Sequence, residues 1–435
     1  MPKRLLLAAA TGLTLLVAPA SAAAASYVPG QVIVKYRAGT PEAVRERLES
    51  LAGTDTTRKL ASGSEQVAIE SGDSVRATVA ELRRDPNVAY AVPNYKAHAA
   101  EIPNDPGVRR QWNFLGTYGI GMDEAWALAI QRGAPGGRGA LVALLDSGVA
   151  YERRGRYRRA PDLRRSTFVK GYDFVGRDHH PNDVFGHGTH VAGTVAQTTN
   201  NNLGTAGIAY GAKIMPLRVL DWKGSGDSVA ISRAIRYAAR RGADVINLSL
   251  EFPSEVRASE IPDVLSALRY ARAKGVTVVA AAGNQADAAV AYPARANSVI
   301  AVGATTANGC EAEYSNAGDD LDLVAPGGGI DAPNDDNPWD AAHCRPDEPG
   351  RPIFQQTFTR GVRHFGLPGG YEGTSMASPH VSAIIALLIA TKRLGRHPDP
   401  QVIEEHLERT AMDIGPPGFD DRYGWGLVSA AAALR

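Results

Sequence analysis

Along this chain the spacing of apolar residues changes rhythm from one region to the next. QVIVKY (31–36) alternates as a strand does. TPEAVRERLESLAG (40–53) places Val44, Leu48 and Leu51 at helical spacing, and DSVRATVAELRRD (73–85) does so through Val75, Val79 and Leu82. VAYAVPNYK (88–96) reads as a closing strand, so this region predicts a small α+β unit. The polar, proline-containing KAHAAEIPNDPG follows as a linker. From about residue 138 the pattern becomes strand–helix alternation. ALVALLDSG (140–148), AKIMPLRVLD (212–221), ADVINLSL (243–250), VTVVAAAGN (276–284), VIAVGATT (299–306) and LDLVAPG (321–327) read as strands. SVAISRAIRYAARRGA (228–243) and IPDVLSALRYARAKG (261–275) read as helices between them. Continuous Val/Ile/Ala/Leu runs predict an α/β fold, with a mostly parallel central sheet covered on both faces by helices. Ligand sites in such sheets lie beyond the carboxyl ends of the strands.

The first residues change the picture of where the protein works. Lys3 and Arg4 precede LLLAAATGLTLLVA and then PASAAAAS, the layout of a secretory signal with cleavage between Ala22 and Ser26. Residues 1–26 are therefore expected to be a signal peptide, and the protein is expected to be secreted, extracellular or periplasmic. No later stretch approaches 18 uninterrupted apolar residues, so no membrane span is expected in the mature form. With 44% hydrophobic and 21% charged residues and a net charge of +1, the bulk composition is that of an ordinary globular protein and does not suggest a nucleic-acid partner. Export permits a disulfide between Cys310 and Cys344, the two cysteines present. Such a bridge contributes roughly 3–4 kcal/mol on the chain-entropy view; two separate thiols are the alternative. ERRGRYRRAPDLRR (152–165) is dense in arginine, and reads as a solvated loop, an acidic-partner site or a self-cleavage site.

Candidate chemistry is scattered along the α/β region. YEGTSMASPHV (371–381) leads into the apolar run SAIIALLIA, a helix start at which Ser375 is either a cap or a nucleophile. Asp146 ends ALVALLD. His187 lies in FGHGTHVAGTVAQ (185–197), a Gly-rich entry to a helix. His187 and His190 stand three apart, but the zinc-protease helix needs a five-residue span with a glutamate beside the first histidine, and that is absent. The three polar residues make chemical sense together. A serine hydroxyl needs a base, imidazole titrates near neutrality, and a carboxylate on the other ring nitrogen fixes the tautomer. The chain order Asp146, His187, Ser375 is one of the known orders of such a triad.

DSGV (146–149), GHGTHVAGTVA (186–196) and GTSMASPHV (373–381) closely resemble the three active-site motifs of the subtilisin-like serine proteases, and AAAGN (280–284) resembles that family's oxyanion segment. The resemblance spans roughly residues 104–430. It implies a subtilisin-like fold and a serine endopeptidase with Asp146, His187 and Ser375 as the triad. The amide side chain of Asn284 and the backbone N–H of Ser375 would be the oxyanion donors, and His380 would be structural. KGSG (223–226) and LSL (248–250) resemble the two strands that sandwich an extended peptide, which assigns Gly224, Ser225 and Gly226 to the substrate groove. Ser249, Leu250 and Glu251, with Ala282, Gly283 and Ala291, would wall the primary specificity pocket. Two features depart from the family pattern. Glu251-Phe252 replaces the usual Gly-Gly, so the glutamate narrows the pocket, favours a basic side chain, or points into solvent. The segment Gly327–Gly370 is much longer than usual; IFQQTF within it reads as a hairpin strand, and the segment as a whole, lying just before Ser375, would shape the leaving-group side of the cleft.

QTTNNNLGTAG (197–207), with NDP (104–106) and PDL (161–163), resembles the calcium loop of thermitase-like members. The resemblance implies Ca2+ on Asp105, Asp162 and Asn201 and on the carbonyls of Thr198, Leu203 and Thr205. The α+β unit resembles the family's propeptide. The expected organisation is thus a signal at 1–26, a propeptide at 27–100 acting as intramolecular inhibitor, and a peptidase domain at 101–435, with processing around residues 95–104. Polypeptides are the expected substrates and a monomer the expected state. A catalytically silent binding protein would normally lack a triad member. An α/β-hydrolase esterase would carry a G-x-S-x-G elbow, which the residues before Ser375 do not form.

Overall fold

The computed structural model describes residues 27–95 and 102–435; the expected signal peptide lies outside the described residues. The chain divides into two compact units between His98 and Ala99. The first has the order β1 (Tyr27–Tyr36), α1 (Glu42–Leu51), β2 (Thr54–Lys59), β3 (Glu65–Ile69), α2 (Val75–Leu82) and β4 (Val88–Tyr95). Its antiparallel sheet runs β2-β3-β1-β4. Alternate residues of β1, Val32, Val34 and Tyr36, point to one face and are buried with Leu48, Val79 and Leu82 of the helices. Ser74 caps α2 by accepting from Ala77 N at 3.2 Å. The β2–β3 hairpin was not expected from the sequence. TDTTRK is polar and mostly exposed, an edge strand held by pairing rather than by burial.

The second unit carries β5 (Leu141–Asp146), β6 (Thr167–Phe168), β7 (Tyr172–Asp173), β8 (Lys213–Arg218), β9 (Val245–Leu248), β10 (Thr277–Ala281), β11 (Ile300–Thr305) and β12 (Leu323–Pro326). They form one sheet in the order β12-β11-β10-β9-β5-β8-β6, with β7 also on β8, and every pairing is parallel. A separate two-stranded ribbon joins β13 (Thr357–Phe358) to β14 (Phe365–Gly366). The helices are α3 (Trp112–Leu115), α4 (Met122–Gln131), α5 (His187–Ala196), α6 (Ser228–Arg240), α7 (Pro262–Ala273), α8 (Pro338–His343), α9 (Thr374–Ala390), α10 (Pro400–Thr410) and α11 (Ala430–Leu434).

The sheet is apolar on both faces, which explains its unbroken apolar runs. In β5, Val142 and Leu144 join the core containing α4, α5 and α9, while Ala143 and Leu145 join the core of α6 and α7 on the other face. Val142, Leu144 and Leu145 each contribute about 1.5–3 kcal/mol on full burial. Parallel register then aligns the strand ends: Leu145 lies beside Leu248, and Leu248 beside Ala280. Asp146 and Ser249 therefore leave the same edge of the sheet. Strand order also reverses there, since β5 has β8 on one side and β9 on the other.

The expected strand over IFQQTF is confined to Thr357–Phe358. Ile353, Gln355 and Gln356 turn inward because buried polar groups need them. Ile353 O accepts from His190 Nε2 at 3.0 Å, Gln355 Nε2 donates to Ala206 O at 3.1 Å, and Gln356 Oε1 accepts from Asp162 N at 2.9 Å. These residues of the long segment thus back α5 and the 197–207 loop rather than line the cleft that holds Ser375. Cys310 and Cys344 are bridged, with Cα atoms 5.7 Å apart. Most arginines of 152–165 are exposed, whereas Arg159 turns in to donate to Leu163 O and Ser166 O.

Candidate active site

Asp146 is the last residue of β5, 1% exposed. Its carboxylate accepts from Ser147 N at 2.7 Å and lies 2.8 and 3.0 Å from His187 Nδ1. A carboxylate is acceptor-only, so Nδ1 carries the proton and Nε2 is left with its lone pair free. Burial by itself pushes the His187 pKa down, but the charge and hydrogen bond of Asp146, with a further contribution from Asp183, outweigh it, and the net direction is upward.

His187 opens α5, and its position rests on tight packing. A Cβ on Gly188 would lie 2.1 Å from Gly148 O, so only glycine lets the helix start approach the end of β5. Gly186 has φ 107°, and its carbonyl accepts from the Thr357 hydroxyl. Asp183, unnoticed in the sequence, fixes the turn before the helix. Its carboxylate accepts from Ser147 Oγ, Phe185 N, Gly186 N, Thr189 N and Thr189 Oγ1, all between 2.6 and 2.9 Å. Burial pushes its carboxyl upward. His190, three residues on, is fully buried, stacked on Tyr371 at 4.3 Å and bonded to Ile353 O, with its pKa pushed down to about 3 by burial. His380 is likewise structural, bonded to Met376 O and Asn113 and pushed down to about 4.

Ser375 is the second residue of α9, a helix whose cap position is Gly373 with no side-chain cap; Ser375 is thus at a helix start without being its cap. Pro379 lies four residues later and has no N–H to give to the Ser375 carbonyl. Ser249 Oγ supplies the missing donor at 2.7 Å. Ser249 also accepts from Asn247 Nδ2 at 2.9 Å and lies 3.0 Å from Ser378 Oγ, while Ser382 Oγ donates to Asn247 Oδ1 at 2.9 Å. This buried chain of hydroxyls and amide ties the start of α9 to the end of β9. Ser375 Oγ itself donates to Ser249 O at 3.3 Å.

His187, Ser375 and Asn284 share one cleft of about 380 Å³ with Gly224, Ser225 and Gly226 on one side and Ser249, Leu250 and Glu251 on the other. The first side is a tight turn set by Asp221, whose Oδ1 accepts from Lys223 N and Ser225 N. Ala282, Gly283 and Ala291 are buried and are not among the residues that line this cleft; Ala291 N donates to Ala282 O at 2.7 Å. Asn284 Oδ1 accepts from Thr374 N at 2.8 Å and Thr374 Oγ1 at 3.1 Å, so its amide is oriented by the residue before Ser375. Its Nδ2 donates to Glu251 Oε2 at 3.2 Å. Glu251 is half-buried and does not simply point into solvent; burial pushes its carboxyl upward.

A second polar cluster surrounds Asp162. Asp105 and Asp162 are 1% and 0% exposed. Asp105 accepts from the backbone N–H groups of Asn200 and Asn201 at 2.8 and 3.0 Å. Asp162 accepts from Asn201 Nδ2 and Gln197 Nε2, both at 2.6 Å, and from Thr205 N at 3.1 Å. Among the described residues these bonded partners are all neutral, and burial pushes the Asp162 carboxyl up to about 6. Thr198 and Thr205 are buried on the same loop, while Leu203 is 41% exposed. Two buried carboxylates held only by neutral N–H donors are oxygen ligands of the kind a hard divalent cation takes.

A parallel α/β sheet with an Asp–His pair and a helix-start serine at its carboxyl edge, bordering one cleft, defines the class: a serine hydrolase. Residues 137–426 match the subtilase family and residues 16–94 match the fervidolysin N-terminal prodomain. The chain is 36% identical over 401 residues to a thermophilic serine proteinase of Bacillus sp. (strain AK1), covering 92% of this chain and 86% of that protein. It is 32% identical to an extracellular protease of Xanthomonas campestris pv. campestris, covering 90% and 67%. Among solved structures, a protease of Pseudoalteromonas arctica aligns with TM-score 0.62 and 31% identity, covering 77% of this chain and 99% of that one. The chain belongs to the subtilase family and is a subtilisin-like serine protease preceded by a prodomain.

Proposed function

We propose that this protein is a secreted endopeptidase that uses Ser375, His187 and Asp146 as a catalytic triad. An extended polypeptide lies between Gly224–Gly226 and Ser249–Glu251, pairing through its backbone. Ser375 turns from Ser249 O toward His187 Nε2, which takes its proton as Oγ bonds the scissile carbonyl carbon. The Asn284 amide and the Ser375 N–H, at the positive end of α9, receive the oxyanion. As the C–N bond breaks, His187 returns the proton to the leaving amine. Water, activated by the same histidine, then hydrolyses the acyl-enzyme. Asp146 holds the Nδ1–H and stabilises the imidazolium. The observation that carries this reading is the 2.8 Å Asp146–His187 bond at the mouth of the cleft containing Ser375.

Asp105, Asp162 and Asn201, with the carbonyls of Thr198, Leu203 and Thr205, would hold calcium. When bound, the ion neutralises the two buried carboxylates and fixes the loop after α5. The prodomain unit serves as intramolecular inhibitor until it is cut away near residues 95–104, and the mature protein works as a monomer. The test is cleavage of a peptide library by the purified protein with calcium, together with fluorophosphonate labelling. Cleavage and labelling that both vanish in Ser375→Ala are expected; cleavage that survives in Ser375→Ala removes the assignment.

A further inference from the structure

Glu251 stands in the wall of the cleft beside the group assigned to the oxyanion. Its carboxylate is held by two neutral side-chain amides and by the backbone N–H of Asn284. Oε2 accepts from Asn284 Nδ2 at 3.2 Å, and Oε1 accepts from Gln285 Nε2 at 2.7 Å. Burial raises its carboxyl, as expected of a charge held only by amides. The Asn284 carbonyl oxygen is already committed to Thr374, so the Nδ2 hydrogens are what this side chain has to offer an oxyanion. One of them is engaged by the Glu251 carboxylate. That arrangement has two chemical consequences. The carboxylate competes for the donor, and an unpaired negative charge beside Asn284 opposes the negative charge that develops on the substrate carbonyl.

We propose that Glu251 couples substrate choice to assembly of the oxyanion hole: a lysine or arginine side chain on the acyl side of the scissile bond pairs with the Glu251 carboxylate, draws it off Asn284 Nδ2 and frees that amide for the oxyanion. The proposal rests on Asn284 being the oxyanion donor. A cationic side chain satisfies Glu251 better than Asn284 does, because charge-assisted bonds exceed neutral ones. A neutral side chain at the same position leaves the carboxylate where it is. Selectivity therefore enters through the chemical step as well as through binding. Interactions made only on the way to the transition state change kcat, whereas uniform binding changes KM.

The experiment uses active enzyme produced from the full chain and peptides that differ only at the acyl-side residue: lysine, arginine, glutamine or leucine. The parent enzyme is expected to show kcat about 10- to 100-fold higher for lysine and arginine, the span of a charge-assisted bond. E251A and E251Q should both collapse that ratio toward unity, raising kcat on the neutral peptides; E251Q preserves side-chain size should E251A fold poorly. A cationic preference confined to KM, or E251A and E251Q lowering kcat equally on every peptide, overturns the coupling while leaving the protease assignment intact. Asn284→Ala in the same series tests the premise. A loss of about 10²–10³ in kcat on all peptides supports it, and an unchanged kcat removes the premise and the coupling together.

Discussion

Asp146 and Asp162 are both buried aspartates at the edge of one domain, yet their surroundings solve the problem of a buried charge in opposite ways. Asp146 faces an imidazole that becomes a cation when it takes a proton, so its charge is matched at the moment of reaction. Asp162 is bonded by neutral amide groups, and burial raises its carboxyl to about 6. On the function proposed above, one carboxylate is matched by a positive charge inside the protein and the other by an ion from outside it.

That contrast can be broken from its catalytic end first. His187→Ala should lower kcat by about 10⁶, the magnitude of losing one member of a serine–histidine pair, measured with substrate in excess. It should leave the melting temperature with calcium nearly unchanged. Next comes pH. Because the His187 pKa is raised, the acid limb of kcat/KM should fall above the usual imidazole value near 6.5. Activity should be lost as pH drops through that limb and the base becomes protonated; a limb below pH 6 would contradict the Asp146 interaction. Calcium gives a smaller effect. Saturating the loop at 100 times its Kd stabilises by about 2.7 kcal/mol, which corresponds to a shift of several degrees. Excess chelator should lower the melting temperature of the parent but not of Asp162→Asn.

The smallest effect separates the two carboxylates by sign. With calcium removed, the raised carboxyl of Asp162 favours the fold below its ordinary value of 3.8, and that contribution is lost as pH rises through about 6. Calcium requires the ionised form, so stabilisation by the ion should grow across the same interval. Melting curves with and without chelator from pH 4 to 7 measure both trends; parallel curves would mean that Asp162 does not hold the ion.

The sequence disclosed the ends of this chain of causes better than the links. The six long strands were readable because both faces of the sheet are buried, leaving no polar alternation in runs such as LVALLD. Asp146, His187 and Ser375 were readable because they sit at strand and helix ends flanked by small residues. Asp183 was not, since its role depends on bonds that join the turn before α5 to Thr189 within the helix and to Ser147 beyond the end of β5. The Ser249–Ser375 bond was hidden because it answers an absence, the N–H that Pro379 lacks. The hairpin at Thr54–Ile69 was missed because its edge strand is polar. The direction of Glu251 lies in its side-chain torsions, on which residue order is silent.

The long segment before Ser375 has a consequence for durability among copies of the same enzyme. Residues 345–351 are exposed, the kind of backbone a neighbouring protease cuts first. The chain just before them is pinned by Cys344 to Cys310, and the chain just after by Pro352 O and Ile353 O, which accept from Trp112 Nε1 and His190 Nε2. A nick there releases only two short frayed ends. The protein would run as two pieces on a denaturing gel and still work as one.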